Sequence, residues 1–259
     1  MRKVRRIFVW ICRPQALVGF IVLCLCMGAL SSFARTNAAT LQPHFRPSVP
    51  PPVAIESHVD CNIKPCLALT FDDGPSAAVT PQILDVLARE QIKATFFVIG
   101  IHVAGNEQIL QREHREGHEI GNHSWSHPDL TQISPEAAEE QIQAAQTAIS
   151  NAGVPAPTVL RPPYGAANDM LLAHNNLSIV RWNVDPADWQ SLDPVKIDQD
   201  LLAHVHPGSI VLLHDIYPTT VAALGPALDV LKQQYQFLTV SQLLDLTPGD
   251  QGQYFARYR

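Results

Sequence analysis

The chain has 259 residues, of which 46% are hydrophobic and 16% are charged, and this balance is typical of one or two globular domains. Six of the 18 basic residues lie within residues 1–40, which contain no acid, so the remainder carries 12 Lys and Arg against 24 Asp and Glu. A body with a net charge of −12 argues against nucleic acid as a partner bound through its phosphates.

Residues 1–40 have the pattern of an export signal. After a basic start, 21 uncharged residues separate Arg13 from Arg35, and the run from Ser32 to Ala34 offers a small-x-small cleavage site. The same run approaches the length of a membrane span, so an uncleaved anchor is the alternative to a cleaved signal peptide. Either segment predicts an extracytoplasmic protein, secreted or held at the cell envelope, whose only membrane contact is an uncleaved N-terminus.

Two of the five cysteines, Cys61 and Cys66, lie outside this leader. In an oxidising compartment we expect them to form a disulfide just before the first strand, with metal ligation or two free thiols as the alternatives. Five prolines in residues 41–57 predict an extended linker. The folded domain is therefore expected to span residues 58–247, and the polar residues 248–259 are expected to form a flexible tail.

Strands and helices alternate through the predicted domain. Short apolar runs predict seven strands, at residues 67–71, 94–99, 118–121, 158–161, 179–184, 209–214 and 237–240. Apolar periodicity and start signals predict helices at residues 80–90, 106–116 and 134–153 and from residue 193 onward. Seven strand–helix units favour an α/β fold with a parallel barrel over an open doubly wound sheet.

Two adjacent aspartates, Asp72 and Asp73, end the first strand and precede a Gly-Pro turn. Active sites of α/β folds are built at the carboxyl ends of strands. Because successive strand residues point to opposite sides, we expect the two carboxylates to diverge, one binding a group and the other acting on it. Divergence also argues against a glycosidase, in which two carboxylates flank one bond.

Two histidines four residues apart, His123 and His127, follow the third strand at the same rim as the aspartates. On a helical turn they would share one face, which is the spacing that a metal site needs. Two histidines and an aspartate leave open positions for water and substrate, although the same set also serves non-haem iron oxygenases. His114 and His118 have the same spacing, and we expect His114 to be a solvated helix end.

Polar side chains also follow the later strands. The run from Arg161 to Gly165 is either a proline turn with a surface arginine, or a fixed backbone in which Arg161 holds a carboxylate and the Tyr164 N–H faces an oxyanion. His214 ends an apolar run, where a lone histidine is more often a core group than a catalyst. Because every strand end delivers polar groups to one rim, the sequence nevertheless favours an active site there.

Five motifs resemble the polysaccharide deacetylase family, the family 4 carbohydrate esterases with a NodB homology domain. They stand in the family's order as Thr70-Phe-Asp-Asp73, His123-Ser-Trp-Ser-His127, Arg161-Pro-Pro-Tyr-Gly165, Asp185-Pro-Ala-Asp-Trp189 and Leu212-Leu-His214. The resemblance implies a distorted (β/α)7 parallel barrel, NodB-like, that removes N-acetyl groups from a polysaccharide such as peptidoglycan or chitin. An acetylxylan-type O-deacetylase, a non-catalytic glycan-binding module and an amidohydrolase of small amides are the alternatives.

The resemblance also implies roles for the residues that match. Asp73, His123 and His127 bind a divalent metal ion, expected to be Zn²⁺ with Co²⁺, Mn²⁺ or Ni²⁺ as alternatives, which polarises the acetamide carbonyl and a water molecule. Asp72, oriented by Arg161, is the expected general base.

The same resemblance makes His214 the expected general acid, kept protonated by Asp188. The backbone N–H of Tyr164 is the expected oxyanion donor. The residues expected to contact the acetylated sugar are Pro163, Tyr164, Trp189 and Leu212. The expected partner is an N-acetylated polysaccharide, bound by a monomer.

Overall fold

The structure is a computed structural model that describes residues 59–257. The predicted leader, the predicted linker and the start of the domain at residue 58 lie outside the described residues. Within residues 59–257, no helix combines the length and the apolar character needed to cross a membrane.

Strands and helices alternate along the described residues, as the sequence predicts. The strands are β1 (Cys66–Asp72), β2 (Thr95–Val98), β3 (Glu119–Asn122), β4 (Val159–Leu160), β5 (Ser178–Val180), β6 (Ile210–His214), β7 (Gln236–Phe237) and β8 (Gln253–Tyr254). The α-helices are α1 (Thr80–Glu90), α2 (Glu107–Arg115), α3 (Pro135–Asn151), α4 (Asp169–Ala173), α5 (Asp188–Ser191), α6 (Pro194–His204), α7 (Pro218–Gln234) and α8 (Val240–Leu244). Two short 3₁₀ turns lie at Gly100–His102 and Pro163–Gly165.

The strands form one parallel sheet in the order β6-β1-β2-β3-β4-β5-β8, and β7 pairs separately with β1. Past β5, the chain turns back toward the other edge, where Val184 forms a parallel bridge with Val211 of β6. The Leu212 N–H donates to the Val184 carbonyl at 2.9 Å. The sheet therefore curves into an incomplete barrel with helices around it, which confirms the predicted parallel α/β barrel.

Strand β1 is buried along its whole length and separates two apolar layers. Leu67, Leu69 and Phe71 pack against the surrounding helices, in a cluster that includes residues of α1 and α7. Ala68 belongs instead to a second cluster with Phe97 and other residues of neighbouring strands. Since strand side chains alternate with period two, Thr70 and Asp72 share the side of Ala68 and point into the barrel.

Two of the predicted helix starts are confirmed in detail. The Ser134 side chain caps α3 by accepting a hydrogen bond from the Ala137 N–H at 3.2 Å, and Asp193 caps α6 by accepting from the Val195 N–H at 3.0 Å. The sequence also predicts Thr80 as the N-cap of the first helix, and this is wrong: Thr80 is the first residue of α1, and its hydroxyl donates to Asp215 Oδ2 at 2.5 Å.

The C-terminal part differs from the prediction. The expected strand at residues 237–240 is shorter, because Thr239 forms a capping box that starts α8. The expectation of a flexible tail after residue 247 is wrong for its described part. Strand β8 covers the edge of β5, where the carbonyls of Gly252 and Tyr254 each accept a backbone N–H of the β5 segment at 2.8 Å.

The amino end of β1 carries the predicted disulfide, because Cys61 and Cys66 are bonded to each other. Helix α7, which the sequence analysis does not predict, contains Pro226 and nevertheless runs for 17 residues. Its buried face, including Ala223, Leu224 and Leu228, joins the same cluster as β1, so tertiary burial stabilises a helix whose central proline disfavours it.

Candidate active site

An open cleft of about 380 Å³ lies at the carboxyl ends of the strands. The residues that line it come from the ends of β1, β3 and β6 and from the loops after β4 and β5. They are Asp72, Asp73, His123, His127, Tyr164, Trp182, Asp185, Trp189, Leu212, His214 and Tyr217. The structure thus brings residues of all five motifs to one cleft.

Asp73, His123 and His127 form a compact group whose ligand atoms all lie within 4.8 Å of one another. The Nε2 atom of each histidine is 3.5 Å from Asp73 Oδ1, which is buried and has no hydrogen-bond partner among the described residues. The His123 Nδ1–H donates to the Arg161 carbonyl at 2.6 Å, which leaves Nε2 as the unprotonated nitrogen facing the cleft. One carboxylate oxygen and two imidazole nitrogens at this spacing fit a divalent metal ion.

The local electrostatics favours the protonation states that bind a metal ion. Burial raises the pKa of Asp73, but the neighbouring imidazoles of His123, His214 and His127 outweigh burial and lower it. Burial and the neighbouring His123 lower the pKa of His127. At neutral pH the group therefore presents an ionised carboxylate beside a neutral His127 imidazole.

The loop that carries the two histidines is not the helical turn that their spacing suggests. Ser124 and His127 have φ angles of 67° and 62°, in the left-handed region. The Asn122 Oδ1 atom accepts the Ser124 N–H at 2.8 Å, and Ser124 Oγ accepts the His127 N–H at 3.0 Å. These side-chain bonds hold an irregular loop, and the loop rather than helical periodicity brings the imidazoles together.

The expected divergence of Asp72 and Asp73 is wrong. Asp73 has a φ of 75°, so the chain leaves strand geometry there and the alternation of side chains stops. Asp72 Oδ2 and Asp73 Oδ1 lie 3.6 and 3.5 Å from the same atom, His123 Nε2. The two carboxylates share one cleft and differ in their partners, because Asp72 Oδ1 also accepts a hydrogen bond from Arg161 at 2.8 Å.

Arg161 is fully buried, which rules out the surface arginine of the alternative interpretation. Its guanidinium donates to the Thr70 hydroxyl at 2.6 Å and to the carbonyls of Val180 and Arg181 at 3.2 and 2.9 Å. It also lies over the Phe97 ring, 4.1 Å from the centroid. Because these contacts fix the guanidinium, its hydrogen bond to Asp72 fixes the Asp72 carboxylate as well.

His214 forms a tight pair with Asp188, which is fully buried at the start of α5. Asp188 Oδ1 accepts from His214 Nδ1–H at 2.7 Å, and Oδ2 accepts from the His214 backbone N–H at 2.8 Å. Burial lowers the pKa of His214, but the hydrogen bond and charge of Asp188, with the charges of Asp72 and Asp73, raise it to about 9. His214 is therefore a charged imidazolium at neutral pH.

Tyr164 lies in the 3₁₀ turn with a φ of 60°, and its ring makes an edge contact with His127 at 4.7 Å between centroids. Among residues 59–257, the Tyr164 N–H meets no hydrogen-bond acceptor. Pro163 was expected to contact the substrate, but it is buried and does not line the cleft. Its ring fixes the turn that presents Tyr164, which places Pro163 behind the cleft wall.

The wall of the cleft contains the expected Trp189, about half exposed, and Leu212, which is nearly buried. It also contains three residues to which the sequence analysis gives no role: Trp182, Asp185 and Tyr217. Asp185 begins the motif that ends at Trp189, and Tyr217 follows His214 by three residues. Their positions directly after strands could have predicted that they line the cleft. The Tyr217 ring centroid is 5.8 Å from that of His214.

The second histidine pair does not form a metal site. His114 is exposed on α2, as expected, whereas His118 is buried and its Nδ1 accepts the Ala94 N–H at 3.1 Å. Burial and the charges of Lys93 and Arg112 lower the pKa of His118 to about 4. Within residues 59–257, the Asp73 group is the cluster of His, Cys, Asp and Glu side chains suited to a metal ion.

The fold and the cleft define a class: an α/β barrel protein with an Asp-His-His group, an arginine-held carboxylate and an imidazolium on one rim. The polysaccharide deacetylase family profile matches residues 60–178. The chain is 45% identical over 178 residues to a Listeria monocytogenes peptidoglycan-N-acetylglucosamine deacetylase, covering 68% of this chain and 38% of that protein. It is 44% identical to a Bradyrhizobium chitooligosaccharide deacetylase over 58% of this chain and 70% of that protein.

Solved structures agree with these sequence comparisons. Peptidoglycan deacetylase PdaC from Bacillus subtilis is 42% identical, with a TM-score of 0.70 over 72% of this chain and 93% of that one. A family 4 acetyl xylan esterase from Clostridium thermocellum, in complex with a cobalt ion, is 33% identical, with a TM-score of 0.69 over 74% and 98% of the chains. The chain belongs to the polysaccharide deacetylase family.

Proposed function

We propose that the protein is a metal-dependent hydrolase that removes N-acetyl groups from N-acetylhexosamine residues of a polysaccharide and releases acetate. The observation that carries this proposal is the convergence of Asp73, His123 and His127 within 4.8 Å, in the cleft that also holds Asp72 and His214. A glycan-binding surface has no need of a metal group, a held carboxylate and an imidazolium together. The chain spans 38% of the Listeria relative, so that relative's activity supports the proposal only for the shared domain.

Asp73 Oδ1 and the Nε2 atoms of His123 and His127 are the groups that would hold the metal ion. When bound, a divalent ion supplies Lewis-acid polarisation of the acetamide carbonyl and lowers the pKa of a water molecule. The unpartnered, buried Asp73 oxygen and the fixed tautomer of His123 support this ligand set. We propose zinc as the ion, and the cobalt complex of the Clostridium relative supports a divalent metal at this kind of site.

Asp72 is placed to take a proton from the attacking water. Arg161 holds its Oδ1 atom at 2.8 Å, so Oδ2 remains the oxygen directed into the cleft. The Tyr164 N–H, without an acceptor among the described residues, is free to donate to the oxyanion that develops on the acetyl carbonyl. Both groups act when the water attacks: Asp72 removes its proton, and the Tyr164 N–H stabilises the negative charge on the carbonyl oxygen.

His214 is placed to return a proton to the leaving amine. Its Nδ1–H is occupied by Asp188 at 2.7 Å, so Nε2 is the nitrogen that carries the transferable proton. Because Asp188 keeps the imidazole charged at neutral pH, the acid form is ready before the carbon–nitrogen bond breaks. Leu212 and the half-exposed Trp189 provide apolar surface for the acetyl methyl group.

We propose that the substrate is a cell-envelope or extracellular polymer, with peptidoglycan first and chitin-like polymers second. The names of the Listeria, Bacillus and Bradyrhizobium relatives support N-acetylated substrates. The Cys61–Cys66 disulfide supports a site of action outside the reducing cytoplasm. The acetyl xylan esterase of Clostridium makes O-deacetylation the second candidate function.

The test measures acetate release from peptidoglycan, chitooligosaccharides and acetylated xylan, with and without a chelator. We expect release from the two N-acetylated substrates, loss of release after chelation, and its return when Zn²⁺ or Co²⁺ is added back. Asp72→Asn is the matched control, because it should keep the metal and lose turnover.

Each of the other outcomes contradicts a part of the proposal. Release from xylan alone would replace N-deacetylation by O-deacetylation. Release that survives complete metal removal would remove the metal-dependent mechanism. No acetate from any of the three polymers, with the metal bound, would favour a glycan-binding protein.

A further inference from the structure

One contact of Asp188 lies outside its pair with His214. The hydroxyl of Thr220 donates a hydrogen bond to Asp188 Oδ2 at 2.7 Å. Both side chains are buried, with Thr220 1% exposed and Asp188 0% exposed. A buried charged carboxylate needs several donors, and the Thr220 hydroxyl is the one donor to Asp188 among the described residues that does not belong to His214.

The three residues of this contact come from three elements. His214 ends β6, Asp188 begins α5, and Thr220 lies in the first turn of α7. Each oxygen of Asp188 has a fixed donor: Oδ1 takes the His214 imidazole, while Oδ2 takes the His214 backbone N–H and the Thr220 hydroxyl. With both edges held, the carboxylate cannot rotate away from the imidazole ring.

We propose that Thr220 is a positioning residue for the reaction, which holds Asp188 so that His214 keeps the orientation of a proton donor. Thr220 does not line the cleft, so it acts through Asp188 and does not contact the substrate. This inference rests on the proposed role of His214 in deacetylation. It assigns a function to the first turn of α7, a helix that the motifs do not include.

The neighbouring threonine supplies a matched control. Thr219 precedes Thr220 in the same turn, and its hydroxyl is buried with no hydrogen-bond partner among the described residues. Thr219→Val and Thr220→Val therefore make the same chemical change, one residue apart. The first removes a hydroxyl that makes no described hydrogen bond, and the second removes the donor to Asp188.

The kinetic test compares these variants with Thr220→Ser, in the metal-loaded full chain and with N-acetylchitooligosaccharide as substrate. For Thr220→Val we expect a fall in kcat of about tenfold, a part of the roughly 10²–10⁴ that general acid–base catalysis contributes, with KM changed less than about twofold. Thr220→Ser restores the hydroxyl and is expected to recover most of the loss. Thr219→Val is expected to match the wild type.

A second readout does not depend on turnover. NMR titration of labelled histidine gives the pKa of the His214 imidazole, which is expected to be lower in Thr220→Val than in the wild type and to return in Thr220→Ser. The loss of a fixed edge lets the Asp188 carboxylate tilt away from Nδ1, which weakens its stabilisation of the imidazolium. The titratable groups that face His214 are Asp188, Asp72, Asp73 and Tyr217, and all four are kept in these variants.

The outcomes separate this inference from the proposed function. If the wild type releases no acetate from any polymer, the proposed function fails while the NMR titration still tests the contact. An unchanged His214 pKa and unchanged kcat in Thr220→Val would overturn the positioning role. Equal losses in Thr219→Val and Thr220→Val, or no recovery in Thr220→Ser, would show a general packing effect and would overturn it as well.

Discussion

Asp73 leaves strand β1 with a φ of 75°, and this single dihedral brings two neighbouring carboxylates into one cleft. Aspartate tolerates the left-handed region better than most residues, because its short polar side chain can form local hydrogen bonds. Here the turn is also held from outside, since the His102 Nδ1–H donates to the Asp73 carbonyl at 2.8 Å. At the scale of the residue, then, one left-handed dihedral places both carboxylates in the cleft.

The first prediction at this scale separates the two aspartates by their effect on the metal ion. Asp73→Ala removes one of three ligands and is expected to lower metal content well below one equivalent, as measured by mass spectrometry of the dialysed protein. Asp72→Asn leaves all three ligands in place and is expected to keep the metal while kcat falls at least about 100-fold. Stoichiometric metal in Asp73→Ala would contradict the ligand assignment.

A second prediction concerns pH. The proton donor must be protonated, and Asp188 holds the pKa of His214 at about 9, so activity is expected to fall as pH rises through about 9. Asp188→Asn removes the charge that raises this pKa, so the alkaline limb should move to lower pH. The pH profile of kcat measures this shift. An alkaline limb that stays in place in Asp188→Asn would mean that another group limits the rate.

At the scale of the element, strand β8 closes an edge that the sequence analysis leaves open. The carbonyls of Tyr254 and of Gly252, which directly precedes the strand, accept the N–H groups of Arg181 and Ile179, and the Arg257 N–H donates to the Gly208 carbonyl at 2.9 Å. The β5 segment in turn supplies carbonyls that hold the guanidinium of Arg161. The last strand therefore supports the catalytic cleft from the outside of the barrel.

Truncation after Leu246 tests this support. The loss of β8 leaves buried backbone groups unpaired, so we expect the free energy of unfolding to fall by about 2–4 kcal/mol in urea titrations. Activity should also fall at temperatures where the truncated protein remains folded, because the carbonyls that hold Arg161 become mobile. Tyr254→Ala is the control, since it keeps the backbone of β8. A truncated protein as stable as the wild type would mean that β8 adds nothing.

At the scale of the whole molecule, the stabilising disulfide and the catalytic cleft lie at opposite ends of the barrel. The disulfide lies at the amino end of β1 and the cleft at its carboxyl end, about 20 Å apart for a seven-residue strand. The same separation of a stabilising face from a catalytic face is general in α/β barrels.

The prediction at this scale is that removing the disulfide lowers stability and leaves activity unchanged. Cys61→Ser combined with Cys66→Ala opens a loop of six residues, and loop-closure entropy predicts a loss of about 2 kcal/mol of unfolding free energy. Activity at 25 °C should remain close to that of the wild type. The wild type unfolded under reducing conditions is the control and should show the same loss. Unchanged stability in both would mean that the disulfide does not constrain the unfolded chain.

The sequence by itself determined the parallel barrel, most of its strands and the set of polar residues at their carboxyl ends. These features follow from local signals: apolar runs, capping residues such as Ser134, and reactive side chains placed directly after strands. The disulfide followed from the two cysteines outside the predicted leader and from the expected compartment.

Only the tertiary structure decided how these residues meet. Local periodicity did not predict four features: the burial of Arg161, the convergence of Asp72 and Asp73 on His123, the pairing of β8 with β5, and the bond from Thr220 to Asp188. Periodicity reports which face a residue shares with its near neighbours, and it fails where a left-handed residue breaks the repeat. Contacts between distant segments depend instead on how the incomplete barrel packs, and in this protein those contacts set the geometry of the cleft.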